Sequence, residues 1–391
     1  KDSRLEVISK EAFYKSAISS ISIQSNIMVI EERAFSKCQN LTKVEIGANS
    51  KLEFILDEAF AESSIESIFI PSKVLRIGEK AFSQCRSLSK FEDNSCLELI
   101  KSEAFSQTLI KSIKIPSEVE LIEGRAFASC TNLESVEFGE NSRLEKIGHD
   151  WFEGTSLKGL VIPEGADPVY GWLNNLKSLT YVSTTSSKYP KKISVIDNKM
   201  IAEITKKKNK TLKHLIYACK DIEEARIPFN ITRICPSAFR DCTELKSVLF
   251  TKDSQLFIID EYAFCNSGVE SIEIPVKTQK IKESAFAQCE NLKLVKFKDN
   301  SSLTTICSFA FSGTAITKIT IPQKTTHIDP KSFFGCKYLD TIELSLNSKI
   351  KSLDRNEFDG TKIKNILRLD KNSQLEDDSF DELVNEIKSL K

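Results

Sequence analysis

Cysteine and histidine are the side chains here most able to do chemistry, and their spacing decides which chemistry is open to them. The 391 residues hold eleven Cys and three His. Six of the Cys (Cys38, Cys85, Cys130, Cys242, Cys289 and Cys336) recur at steps of 47 or 45 residues, with one longer gap of 112. A metal site draws on close spacings such as Cys-x-x-Cys, and none occurs, either here or among Cys96, Cys219, Cys235, Cys265 and Cys307. His149, His214 and His327 each stand alone. His214 with Cys219, or His327 with Asp329, would be the only pairs to consider as nucleophile or ligands, and neither has an orienting third group. Walker loops, His-Glu-x-x-His, Gly-x-Ser-x-Gly and Gly-x-Gly phosphate loops are absent from the sequence. The reading is of a non-enzymatic protein with no catalytic residue, cofactor or metal.

The recurring Cys belongs to a longer ladder of one Phe, usually written Ala-Phe, at Phe13, Phe35, Phe60, Phe82, Phe105, Phe127, Phe152, Phe239, Phe264, Phe286, Phe311, Phe333 and Phe358. Its steps are 22 to 25 residues, with one jump of 87. A fixed period of this length marks a solenoid, whose coils bury their apolar edges against their neighbours. In the coil from Ile65 to Cys85, Ile68 and Ile70 alternate with polar residues as a strand with one buried face. Pro71 ends that strand, and Ala81-Phe82 follows on a short helical or tight-turn segment. Two kinds of coil alternate, one ending Ala-Phe-x-x-Cys-x-x-Leu and continuing to Asn-Ser-x-Leu, the other carrying Ile-Pro. The Asn/Asp ladder (Asp2, Asn49, Asn94, Asn141, Asp253, Asn300, Asn347) is expected to satisfy backbone groups of a corner. Ladder cysteines lie two coils apart, about 10 Å at ordinary strand spacing. That is too far for a disulfide, so they read as buried free thiols filling the core.

The pattern Leu-x-x-Val-x-Ile-Pro-x-x-Val-x-x-Ile-x-x-x-Ala-Phe-x-x-Cys resembles the leucine-rich repeats of the BspA-like surface proteins. It runs over residues 5 to 163 and 231 to 358, and the Asn-Ser-x-Leu and Ile-Pro style resembles the protozoan, trichomonad-type branch. The resemblance implies a surface or secreted protein that binds proteins, matrix or other cells, and it carries no catalytic residues. The expected fold is an α/β repeat solenoid, a right-handed superhelix of thirteen coils with a parallel sheet, one insertion and a C-terminal helical cap.

Four segments follow. Residues 1–163 and 231–369 are repeat blocks, 164–230 is an insertion or a degenerate coil pair, and 370–391 is a capping helix with Ser379 and Glu382 as its capping box. A dimerising helix is the sharper reading of the last segment, but a cap on a monomer is favoured. Within the insertion, 195–204 and 212–217 read as a hairpin whose loop carries Lys206, Lys207 and Lys208. That loop is a patch for an acidic glycan or protein, or simply a solvated tip, and the tip is the plainer reading.

Binding is expected on the outward column of the strands, which contains Glu45, Phe69, Glu92, Lys114, Glu137, Val161 and Leu249. Phe69 is the departure from charge that suits an anchor, while Val161 and Leu249 flank the insertion. With 55 basic and 55 acidic residues the net charge is zero, so a protein or glycoconjugate partner is expected and nucleic acid is not. No apolar run is long enough to span a bilayer. Sequons at Asn40, Asn209, Asn230 and Asn300 would fit export, while eleven free thiols favour the alternative of a cytoplasmic scaffold. The chain lacks an initiating Met, and Asp2-Ser3-Arg4-Leu5 matches Asn141-Ser142-Arg143-Leu144, so it opens inside a repeat and reads as part of a longer protein.

Overall fold

The coils take the form that their alternation demands. A computed structural model describes residues 4–47, 49–93, 96–167, 173, 175–207, 210–350, 353, 356 and 358–368. The chain divides into two compact units, Lys1–Asn198 and Lys199–Lys391. It makes a parallel β-solenoid of about 15 turns, more than the thirteen read from the Phe ladder.

Most coils contribute one long and one short strand. In the first unit the long strands begin with Ser20–Ile23, Lys43–Ile46, Ser67–Ile70 and Lys90–Asp93, hydrogen-bonded in parallel in that order. They continue as the pairs Ser112–Ile115 with Ser135–Phe138, and Gly159–Pro163 with Tyr181–Thr185. Seven short strands from Val7–Ile8 to Lys146–Ile147 form a second parallel sheet in strict coil order. The second unit repeats the plan with long strands from Glu224–Ile227 to Asn365–Arg368. Alternation in the long strand is directional: in Ser67–Ile70, Ile68 and Ile70 are buried while Ser67 faces out.

The segment 164–230 holds structure of both kinds. Tyr181–Thr185 is the long strand of a coil that lacks the Phe signature, and Glu224–Ile227 opens a coil that closes on Ala238-Phe239. Met200–Lys207 and Lys210–Ala218 pair antiparallel as a hairpin, with a register shift between Ile201 and Ala202. Its first arm starts at Met200 and not at the expected 195, because Ile193–Ile196 is a strand of its own that ends at the left-handed Asp197 and Asn198. Two residues share the role of the missing Phe. The Ala218 N–H donates to the Ala238 carbonyl at 2.9 Å, as a core Phe N–H does elsewhere, and the Cys219 carbonyl accepts the Cys242 thiol at 3.7 Å, where the other ladder thiols meet the carbonyl of a Phe.

One sequence expectation is corrected here. The α/β class fails, because no α-helix is present among the described residues. The Ala-Phe segment is a tight turn, and its backbone explains why it cannot be a helix. Around Phe82, the N–H groups of Lys80, Phe82 and Gln84 donate to Ser102, Ala104 and Ser106 of the next coil, at 2.8 to 3.0 Å. Those of Ala81, Ser83 and Cys85 instead turn back three residues within the coil. This alternation needs left-handed backbone two residues either side of the Phe, and Lys80 and Gln84 adopt it with φ of 53° and 58°. A helix would send every N–H along its own axis and leave the next coil unpaired. The expected cap over 370–391 lies outside the described residues.

At the corner, the Ser that follows the Asn or Asp satisfies the backbone: Ser50, Ser142, Ser254 and Ser301 each accept from the N–H two residues on, at 3.2 to 3.3 Å. Among the Asn, Asn141 and Asn347 supply left-handed backbone.

The core is a column of aromatic rings. Phe13, Phe35, Phe60, Phe82, Phe105 and Phe127 stack with centroids 5.0 to 5.4 Å apart and planes within 9°. The spacing follows the coil rise, close to the ~4.8 Å between strands. Each buried Phe contributes roughly 1.5–3 kcal/mol through burial alone. Regularity ends at Phe152, tilted 30° from Phe127, where Trp151 replaces the small Ala and packs 4.2 Å from it.

Candidate functional site: the outward strand column and its neighbours

Parallel register turns the predicted column into a physical row. Lys43 pairs with Ser67, which sets Glu45 beside Phe69, and Phe69 is paired with Glu92. Lys114 lies opposite Glu137, and Val161 opposite Ser183. In the second unit Arg226 lies opposite Leu249, Glu273 opposite Lys296, and Thr320, Glu343 and Leu367 follow one another. Ser183 belongs to the row but is hidden from the Phe period, because its coil lacks the marker; Arg226, in the coil that closes on Phe239, belongs to the row as well.

The residues differ in what they offer a partner. Glu45 is exposed and paired to Lys43 at 2.5 Å, and Lys114 and Glu137 are exposed. Phe69 and Val161 are only half-buried, so they present part of a ring or side chain rather than a projecting anchor. Leu249 and Leu367 are more open, at 47% and 46% exposure. Tyr181, exposed beside Gly159 and one strand from Val161, is a surface ring that strand-column reasoning overlooked. The side chain of Glu92 lies outside the described residues. Charges along the row neutralise one another locally: Lys298 meets Glu273 at 3.0 Å and Lys318 meets Glu343 at 2.5 Å. The hydrogen bond from Lys318 holds the Glu343 carboxyl below the usual carboxylate range.

The remaining sites resolve one by one. In the hairpin, Lys206 is exposed opposite Thr211 and Lys207 pairs with Lys210, whereas Lys208 and Asn209 lie outside the described residues. Asn40 and Asn300 are exposed on turns, and Asn230 is half-buried on one. His214 and Cys219 have separate surroundings. The imidazole faces Glu203 at 3.7 Å, while burial pushes the Cys219 thiol up to about 12, where it is neutral and unreactive. His327 meets the Thr326 hydroxyl at 2.8 Å, not Asp329.

All eleven cysteines are unpaired, and the ladder is more than filler. Cys38, Cys85, Cys130, Cys289 and Cys336 each donate to the carbonyl of a Phe on a neighbouring coil at 2.9 or 3.0 Å. The intervening coils place Ser63, Thr108, Ser267 or Thr314 3.2 to 3.4 Å from the sulfur, which accounts for the two-coil alternation.

A row of short parallel strands, a buried Phe stack and an alternating Cys ladder is a repeat geometry with a known sequence profile. The profile of the BspA type leucine rich repeat region (6 copies) matches residues 6–123, 53–171, 176–257, 210–300 and 257–386. The chain belongs to the BspA-type leucine-rich-repeat family. Solved structures of like fold include two leucine-rich proteins. A leucine rich cell surface protein from Faecalibacterium prausnitzii is 24% identical over 95% of this chain and 84% of that one, with a TM-score of 0.57. A leucine-rich repeat protein from Bacteroides ovatus is 22% identical over 93% and 88%, also with a TM-score of 0.57. No curated protein matches the sequence. Among the described residues, no helix is long and apolar enough to cross a membrane, and no group of His, Cys, Asp and Glu is placed to hold a metal ion.

Proposed function

We propose that this BspA-type chain is a non-enzymatic recognition module, displayed on a cell surface or secreted, that binds a protein or glycoconjugate along its long-strand face. The observation that carries the reading is the outward row itself, a charge-balanced surface with isolated apolar openings at Leu249 and Leu367. Such a face suits an interface in which a few desolvated side chains provide affinity and the polar surround provides register. The Faecalibacterium protein of like fold is described as a cell surface protein, in keeping with this placement. Exposed Asn40 and Asn300 are available to glycosylation on that route, and the Asn-Ser-x-Leu style supports the protozoan branch of the family. A monomer is expected, and nucleic acid is not, because the charge is balanced.

The test is binding of the labelled chain to intact cells, with Leu249→Glu and Leu367→Glu combined. At least a tenfold loss supports the face, and unchanged binding would remove it from consideration. A second reading, an intracellular scaffold, is favoured by the eleven unpaired thiols. Intact mass of the native protein, before and after alkylation and deglycosylation, separates the two. Glycan mass selects the surface, and an unmodified chain with eleven alkylated thiols selects the scaffold.

A further inference from the structure

On the turn face of the second unit, the repetitive surface opens into a groove of about 390 Å³. Its origin lies in one column. The position two residues beyond the core Phe carries a polar side chain such as Gln84, Gln107, Asn266 or Gln288. In the next two coils it is Gly313 and Gly335, which keep the left-handed backbone of the column at φ of 70° and 69°. The turn is intact while the side chain is missing: the Gln288 amide lies over Gly313, 2.8 Å from where a Cβ would stand, and the furrow opens beyond it over Gly335. A Cβ added at Gly335 would meet no atom closer than 4.0 Å.

Two aromatic rings reach the surface at the same place. Phe334 follows the core Phe333, where other coils have Ser83, Ala128 or Ala287, and Tyr338 stands where others have Asn132 or Asn291. They are 40% and 63% exposed. Phe309, on the preceding coil, braces Phe334 edge-on at 6.1 Å. Gln288, Glu290 and Lys337 complete the rim, and among the described residues their side chains are committed to no other hydrogen bond or ion pair.

We propose that this groove binds a neutral or N-acetylated pyranose of an oligosaccharide. Exposed aromatic faces suit the C–H face of a sugar ring, and the planar amide and carboxylate of Gln288 and Glu290 offer paired bonds to adjacent hydroxyls. Glu290 and Lys337 oppose each other in sign, which leaves no net field to attract a polyanion. An extended peptide is the poorer fit, since it would need free backbone to pair with. The floor has none to give: the Gly313 N–H donates to the Phe334 carbonyl and the Gly335 N–H to the Asp359 carbonyl, both at 2.9 Å. The inference rests on the glycoconjugate arm of the recognition reading.

The experiment probes an array of immobilised neutral and N-acetylated oligosaccharides with the whole chain, then titrates the best binder by calorimetry. Tyr338→Ala and Gly335→Gln are each expected to weaken that binding at least tenfold. Gly335→Gln fills the groove without threatening the fold, because Gln84 and Gln288 already adopt the same backbone in the same column; an unchanged urea midpoint verifies this. An array without a binder overturns the proposal, as does a binder indifferent to Gly335→Gln. A library-displayed peptide that binds the chain and is lost in Gly335→Gln would assign the groove to a protein partner and also overturn it. Cell binding measured alongside separates this claim from the wider one. An array binder without cell binding keeps the groove and loses the surface role, and cell binding without an array binder does the reverse.

Discussion

The Cys85 thiol donates to the Phe60 carbonyl of the preceding coil at 3.0 Å, with the Ser63 hydroxyl 3.4 Å from the same sulfur. The same arrangement recurs at Phe105, Thr108 and Cys130, and at Phe264, Ser267 and Cys289. A polar thread thus runs inside an otherwise apolar core, and every sulfur in it has a partner. The thiol is large enough to fill the space and polar enough to close a hydrogen bond there.

Replacing Cys85 tests that double role. Cys85→Ala removes both donor and volume and is expected to cost about 2 kcal/mol. Cys85→Ser keeps a donor and should lose about half as much. Urea midpoints for the two variants decide it, since equal losses would leave packing as the only contribution.

Alkali should destabilise the protein through the same groups. Burial pushes the thiols of Cys85 and Cys289 up to about 12 and that of Cys242 to about 11, against 9.0 for an ordinary thiol. Folding therefore holds these protons after the unfolded chain has released them. Stability is full below about pH 9 and falls as pH rises toward 12, by about 1.4 kcal/mol per pH unit for each such thiol. Lysines and tyrosines titrate in the same window, so the informative quantity is a difference: Cys85→Ser should flatten the slope by one proton's worth. Identical slopes in the two proteins would contradict the assignment.

Thiol reagents should distinguish three classes. Cys96 is exposed, Cys265 and Cys307 are half-buried, and the other eight are buried. Under native conditions one thiol is expected to label quickly and two slowly, with eight protected until urea unfolds the chain. Mass spectrometry of the labelled peptides gives the order directly, and rapid labelling of Cys130 or Cys289 would refute the burial of the ladder.

The left-handed turn makes an unusual mutational forecast. Gln84 has φ of 58°, where a β-branched residue is strained and glycine is not. Gln84→Ile is expected to lower stability by about 1–2 kcal/mol, whereas Gln84→Gly should be neutral or slightly stabilising. In a helical turn the glycine would be the more damaging of the two, so the order of the two urea midpoints discriminates between the conformations.

Much of this was open to inspection in the primary structure because it is local. Alternation along Ser67–Ile70 assigns inside and outside within four residues, and the Ala-Phe period counts coils without knowledge of their contacts. The hairpin at Met200–Lys207 and Lys210–Ala218 was legible for the same reason, since both arms and their loop are adjacent in sequence. The coil that lacks the marker was not legible: Tyr181–Thr185 became visible only through pairing with Gly159–Pro163.

Sequence alone determined that the chain is a solenoid of short parallel strands with a Phe and Cys core, because side-chain periodicity and burial are properties of a single coil. Only the tertiary structure decided that the Ala-Phe segment is a turn of alternating handedness and not a helix, since half of its N–H groups find their acceptors on the next coil. It likewise decided that Gly313, Gly335, Phe334 and Tyr338 share one groove. Unequal steps of 22 and 25 residues hide such neighbours in the linear chain, and the inter-coil hydrogen bonds that set the register bring them together.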